Sequence, residues 1–107
     1  MPIHNKLVRD KIPQIIELTG KKYTTRTLSK EEYTFELKKK LNEEITEYQN
    51  ASSDDEVIEE LADILEIMHS LTKIHGVSME DVEEKRIKKA TERGSFNDKI
   101  FLESVED

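Results

Sequence analysis

Two carboxylate pairs, Glu44 with Glu47 and Glu60 with Asp63, are the residues of this 107-residue chain best placed to do chemistry. Residues three apart share one face of a helix, so each pair would project together. Packed antiparallel, two such helices would bring four oxygen ligands to one place, with no His or Cys among them. That donor set suits a hard divalent cation, Mg²⁺ with Mn²⁺ as a substitute, and not zinc. Mg²⁺ is usually held by few carboxylates plus substrate phosphates, which implies a phosphorylated substrate.

The surroundings sharpen this reading. From Leu41 to Thr72 the chain carries ten Asp and Glu residues and no Lys or Arg. Such a cluster repels itself unless solvent or a cation intervenes. Basic residues crowd into 6–40 and 85–99 instead. On a helical projection Tyr33, Leu37, Leu41, Ile45 and Tyr48 form an apolar arc with Glu44 in its middle and Glu47 at its edge. Glu43 lies further round, towards solvent. Val57, Leu61, Ile64, Leu65, Ile67, Met68 and Leu71 form a second, broader face, with Glu60 inside it and Asp63 on its border. An unpaired carboxylate facing a core costs several kcal/mol or takes up a proton. Glu56, Glu59 and Glu66 read as ordinary solvated helix formers.

The elements that must position these residues have legible ends. Asp10-Lys11-Ile12-Pro13 opens a short helix that stops at Gly20. Lys22–Leu28 alternates β-branched and polar residues and predicts a short extended strand. Capping boxes at Ser29, Ser53 and Ser78 open three longer helices, from about Lys30 to Asn50, from Ser53 to His75 with a stop at Gly76, and from Ser78 to Gly94. The last helix carries a stripe of Met79, Val82, Arg86 and Ala90, with Lys89 and Arg93 alongside. The tail from Phe96 to Val105 reads as irregular. The expected fold is all-α, a compact bundle of about four helices with a short extended segment near the N-terminus, forming one domain over 1–107.

Composition bounds the rest. With 35% apolar and 38% charged residues, 3 Gly, 2 Pro and no Cys, disulfide-stapled, collagen-like and Cys-ligated zinc architectures are excluded. The net charge of −7 argues against a nucleic-acid polymer as partner. No apolar run is long enough for a membrane span, and no signal-peptide h-region follows Met1, so a cytoplasmic protein is expected. The thin apolar share predicts a homo-oligomer, a dimer before a tetramer.

Glu43-Glu44-x-x-Glu47 followed after twelve residues by Glu60-x-x-Asp63 resembles the signature of the all-α NTP pyrophosphohydrolase superfamily, the MazG-like proteins. The opening Asn5-Lys6-Leu7-Val8-Arg9-Asp10-Lys11-Ile12-Pro13 and the ending Lys88-Lys89-Ala90-x-x-Arg93-Gly94-x-Phe96 resemble its small phosphoribosyl-ATP pyrophosphohydrolase-like branch. The resemblance implies Glu44, Glu47, Glu60 and Asp63 as Mg²⁺ ligands, and Glu43, Glu44 and Glu47 as catalytic carboxylates. Lys89 and Arg93 would meet the triphosphate, and Arg9 and Lys11 could add to them. Ser95 stands where the branch has a second Gly, so a left-handed turn at that position would be strained.

The activity so implied is Mg²⁺-dependent hydrolysis of a nucleoside triphosphate, or another pyrophosphate-containing molecule, between the α- and β-phosphates, with a house-cleaning role. Two other classes fit parts of the sequence. Glu66-Ile67-Met68-His69 has the Glu-x-x-His spacing of a di-iron bundle, although such a site needs two copies. A non-catalytic acidic helical module would bind a basic partner and gain nothing from Mg²⁺.

Overall fold

A computed structural model describes residues 2–107. It contains four helices, α1 (Ile12–Leu18), α2 (Lys30–Gln49), α3 (Asp54–Ile74) and α4 (Met79–Arg93), and no strand among the described residues. The protein is all-α, as its composition and capping pattern predict.

Serine hydroxyls set the helix starts. The Ser29 and Ser78 side chains accept from the N–H of Glu32 and Asp81, whose carboxylates accept in turn from the serine N–H groups. Both boxes are therefore closed. At α3 only half of the expected box forms. Ser53 Oγ accepts from Glu56 N–H, but the Glu56 carboxylate accepts from Ser52 N–H at 2.8 Å instead of from Ser53. The Ser-Ser sequence offers two neighbouring donors, and the carboxylate takes the earlier one. Acidic first turns on all three helices suit the positive end of the helix dipole.

Helix α3 ends in a Schellman motif. Val77 N–H donates to Thr72 O and Gly76 N–H to Lys73 O, with Gly76 at φ 69°, a conformation that costs a glycine little. At the end of α4 the left-handed residue is Gly94, at φ 84°. Ser95 keeps a negative φ, so its departure from the Gly-Gly pattern strains nothing.

The strand predicted over Lys22–Leu28 does not form. Residues 21–29 carry neither helix nor strand, because a lone extended segment has no partner strand to complete its backbone hydrogen bonds. The segment is tied down at one point, where the Arg26 guanidinium grips the Glu32 carboxylate with both amino groups.

The core is the α2–α3 hairpin. Only residues 50–53 join the two helices, and so short a connection forces them antiparallel. Helix α4 meets α3 over a short stretch, and α1 packs on no other helix. Leu37 and Ile67 are the buried apolar side chains among the described residues. The broad apolar face expected on α3 is only partly covered. Ile64, Met68 and Leu71 are half-buried, whereas Ile58, Leu61 and Leu65 stay exposed. The radius of gyration is 18.7 Å, against about 13 Å for a self-contained chain of this length, as α1 and the tail lie away from the hairpin. No described helix is long and apolar enough to cross a membrane.

Candidate metal centre

Helix geometry accounts for how two distant acidic motifs meet. Glu44 lies five residues before the end of α2 and Glu60 six residues after the start of α3. At about 1.5 Å rise per residue both sit one and a half to two turns from the connection, so an antiparallel hairpin levels them. Glu47 follows Glu44 on the same face, nearer the turn. One carboxylate oxygen from each of Glu44, Glu47 and Glu60 lies within 4.8 Å of the others.

Burial makes this cluster unusual. Glu44 is only 8% exposed, and Oε2 of Glu44 and Oε2 of Glu60 are both buried without a hydrogen-bond partner. Orphaned buried acceptors carry a desolvation cost that a native fold ordinarily avoids. Burial, the neighbouring Glu60 and Glu47 carboxylates, and the charges of Glu47 and Asp63 push the Glu44 carboxyl up to about 7. The neighbouring Glu44 carboxyl pulls Glu60 down, but burial and the Glu47 and Asp63 carboxylates outweigh it, and Glu60 is raised as well. Carboxylates so close share protons unless a cation takes the protons' place. The donor set is all oxygen, drawn from two rigid helices and short of positive charge. It fits a divalent hard cation.

The other expected residues divide. Asp63 stands just outside the group of three and acts on it through its charge. Arg9, expected at substrate phosphates, reaches Asp63 itself, with Nη2 donating to Oδ1 at 2.6 Å. Glu43 is exposed and lines a groove with Lys6, Leu7, Glu36, Lys39 and Lys40, apart from the group of three. Lys11 precedes α1 and is exposed. Lys89 and Arg93 lie exposed on α4, and among the described residues none of these three pairs with a carboxylate. Arg86 pairs with Glu83 of its own helix. His69 of the Glu-x-x-His spacing is exposed and belongs to no metal-capable group among the described residues.

The Arg9–Asp63 tie was not predicted. Its signal is faint: one arginine, 54 residues away, beside a stretch rich in carboxylates and devoid of local bases.

An uncharacterized protein of Mycolicibacterium smegmatis is 43% identical over 54 residues, a stretch that covers 50% of this chain and 55% of that protein. The chain thus matches about half the length of that relative. No solved structure matches. The family model of phosphoribosyl-ATP pyrophosphohydrolase matches residues 8–91, a span that holds Arg9, both acidic motifs and the basic Lys89. On that match, the chain belongs to the phosphoribosyl-ATP pyrophosphohydrolase family.

Proposed function

We propose that the protein is a divalent-metal-dependent pyrophosphohydrolase that cleaves a nucleoside triphosphate between its α- and β-phosphates. Family membership supports the reaction class. The observation that carries the reading is the pair of buried, partnerless oxygens on Glu44 and Glu60 beside Glu47. A scaffold that merely displays acidic charge leaves those two oxygens unexplained, since a basic partner protein reaches only the exposed ones.

Glu44, Glu47 and Glu60 would hold Mg²⁺ or Mn²⁺, with Asp63 as a fourth ligand. The bound cation supplies charge neutralisation at phosphate oxygens and acidifies a coordinated water. Glu47 is exposed and is the ligand best placed to accept a proton from the attacking water. Glu43, in its lysine-flanked groove, is further from that task. Arg9, Lys11, Lys89 and Arg93 bind phosphate oxygens through charge-assisted hydrogen bonds. One water is consumed, and a nucleoside monophosphate and pyrophosphate leave.

Among the described residues Lys89 and Arg93 pair with no carboxylate, which fits a homo-oligomer in which a neighbouring copy's α4 completes the site. The exposed apolar residues of α3 supply the surface for such an assembly. A dimer satisfies both requirements.

The test is phosphate release from each NTP and dNTP, with and without added inorganic pyrophosphatase, in Mg²⁺ and in EDTA. Metal-dependent release that requires the pyrophosphatase is expected. Release without it would mean cleavage at the terminal phosphate and would overturn the α–β assignment. No release from any nucleotide would overturn the nucleotide assignment.

A further inference from the structure

The N-terminal segment is a strap laid across both long helices. Lys6 and Leu7 lie against Glu36, Lys39, Lys40 and Glu43 of α2, and Leu7 and Val8 are half-buried. Two residues past Leu7, Arg9 crosses to α3 and donates to Asp63. The other ion pairs among the described residues, Arg26 with Glu32 and Arg86 with Glu83, are local in sequence. Among these ion pairs Arg9–Asp63 is the one that joins remote parts of the chain, and it does so at the edge of the acidic group.

Its partners make this contact exchangeable. The Arg9 side chain is 56% exposed and that of Asp63 37% exposed, so the pair is held by little beyond its own attraction. Exposed pairs of this kind contribute little to stability. A dication beside Asp63 repels the guanidinium and outcompetes it for the same oxygens. A guanidinium freed there presents a planar fork of donors suited to two phosphate oxygens.

The geometry points to Arg9 as a metal-responsive substrate-binding residue, paired with Asp63 in the metal-free protein and transferred to substrate phosphate oxygens when a divalent cation joins the acidic group. This rests on the proposed cation-holding role of Glu44, Glu47, Glu60 and Asp63, and deepens it by coupling metal to phosphate recognition. The order is built in, because the phosphate-binding guanidinium becomes available only where a cation is already in place.

Mn²⁺ alone, titrated by calorimetry into the full chain and into Arg9→Gln, tests the first half. The variant should bind Mn²⁺ about two- to fivefold more tightly, since the competing guanidinium is gone. Methylenediphosphonate, a non-hydrolysable anhydride mimic, then tests the second half in saturating Mn²⁺. Arg9→Gln should bind it about tenfold or more weakly. Arg9→Lys, which keeps the charge and loses the fork, should restore the Mn²⁺ affinity but not the diphosphonate affinity. Hydrogen exchange over residues 2–10 of the wild-type chain should quicken on Mn²⁺ addition. A purely structural Arg9 would not improve metal binding when removed. Equal or weaker Mn²⁺ binding by Arg9→Gln overturns the exchange and leaves the metal site standing. Unchanged diphosphonate affinity overturns the transfer to phosphate. Failure of every form, wild type included, to bind Mn²⁺ refutes the cation site itself and the Arg9 exchange with it.

Discussion

Glu44 and Glu60 meet across the α2–α3 seam one heptad away from Leu37 and Ile67. Leu37 precedes Glu44 by seven residues and Ile67 follows Glu60 by seven, so the acidic and apolar layers are about 10 Å apart along one seam. Leu37 and Ile67 are 4% and 6% exposed and Glu44 8%, with Glu60 half-buried. Carboxylates therefore occupy positions that the hairpin elsewhere fills with leucine and isoleucine.

Substitution at this layer should separate activity from folding. Glu60→Gln keeps the shape and removes a charge from a crowded group. Its metal-dependent activity should fall by about two to three orders of magnitude, as when a transition-state contact of several kcal/mol is lost. Helicity by circular dichroism should be unchanged, and the metal-free protein should melt no lower than wild type. Retention of wild-type activity would remove Glu60 from the site.

Metal itself should act as a stabilising ligand. A cation that binds only the folded chain adds about 2.7 kcal/mol at a hundredfold excess over its dissociation constant. Melting temperature should rise with Mg²⁺ or Mn²⁺ and return on EDTA addition, whereas Glu44→Gln should show no such rise. A wild-type melting curve indifferent to either cation would leave the two orphaned oxygens without a ligand.

The pH dependence of the metal-free protein follows from the same layer. Folding raises the Glu44 carboxyl from its ordinary value to about 7, so between about 4.5 and 7 the folded chain binds more protons than the unfolded one. Stability from this group is full below that window and falls as pH rises through it. Glu32 works in the opposite sense. The Arg26 guanidinium and the Ser29 donors hold its carboxyl down at about 2, so its contribution is present above about 4.5 and lost as pH falls towards 2. Denaturant midpoints in EDTA should decline from pH 5 to pH 8, and saturating Mg²⁺ should flatten or reverse that decline. A midpoint rising across this range without metal would mean that Glu44 titrates normally.

Much of this was legible in the sequence because the signals are local. Ser29, Ser53 and Ser78 each precede an acidic residue by three, and hydroxyl capping depends on nothing further away. Glu44, Glu47 and Glu60 could be placed on core-facing arcs because helical periodicity carries across one short connection. The Ser52–Glu56 contact was missed since two adjacent serine N–H groups compete for one carboxylate. The strand over Lys22–Leu28 was over-read, because a strand is a property of a pair and no local pattern reveals whether a partner exists. Arg9–Asp63 was out of reach for a similar reason: 54 residues separate them, and only the path of the strap decides the contact.

Capping offers a stability test independent of the site. Ser78→Ala removes the acceptor for Asp81 N–H and half of a closed box. The loss should be about 1 kcal/mol. Ser53→Ala should cost about the same, because each change removes one hydroxyl acceptor while the carboxylate three residues on keeps its bond to a backbone N–H. Denaturant unfolding of both variants checks this, and a loss well below about 1 kcal/mol at either site would deny that its hydroxyl caps the helix.

The apolar residues that the hairpin leaves uncovered specify how the chain should assemble. Ile58, Leu61 and Leu65 follow the three-then-four spacing of a helix–helix seam, and they are 66%, 48% and 48% exposed. They lie one residue round from Val57, Glu60, Ile64 and Ile67, the seam that faces α2. Among the described residues Leu37 and Ile67 are the buried apolar side chains, at 4% and 6% exposure, a small core for a chain expected to stand alone. A second copy is the partner whose own seam matches in length and spacing, and two-fold packing would cover both at once. Leu61→Glu combined with Leu65→Glu introduces four like charges into such a dimer interface. The double variant should elute and weigh as a monomer at concentrations where wild type is a dimer, with reduced thermal stability. It should also lose activity, because α4 of the neighbour, with Lys89 and Arg93, would no longer reach the acidic group. A wild-type chain that is monomeric at micromolar concentration by native mass spectrometry would overturn the assembly. A monomeric double variant with full activity would instead confine the site to one chain.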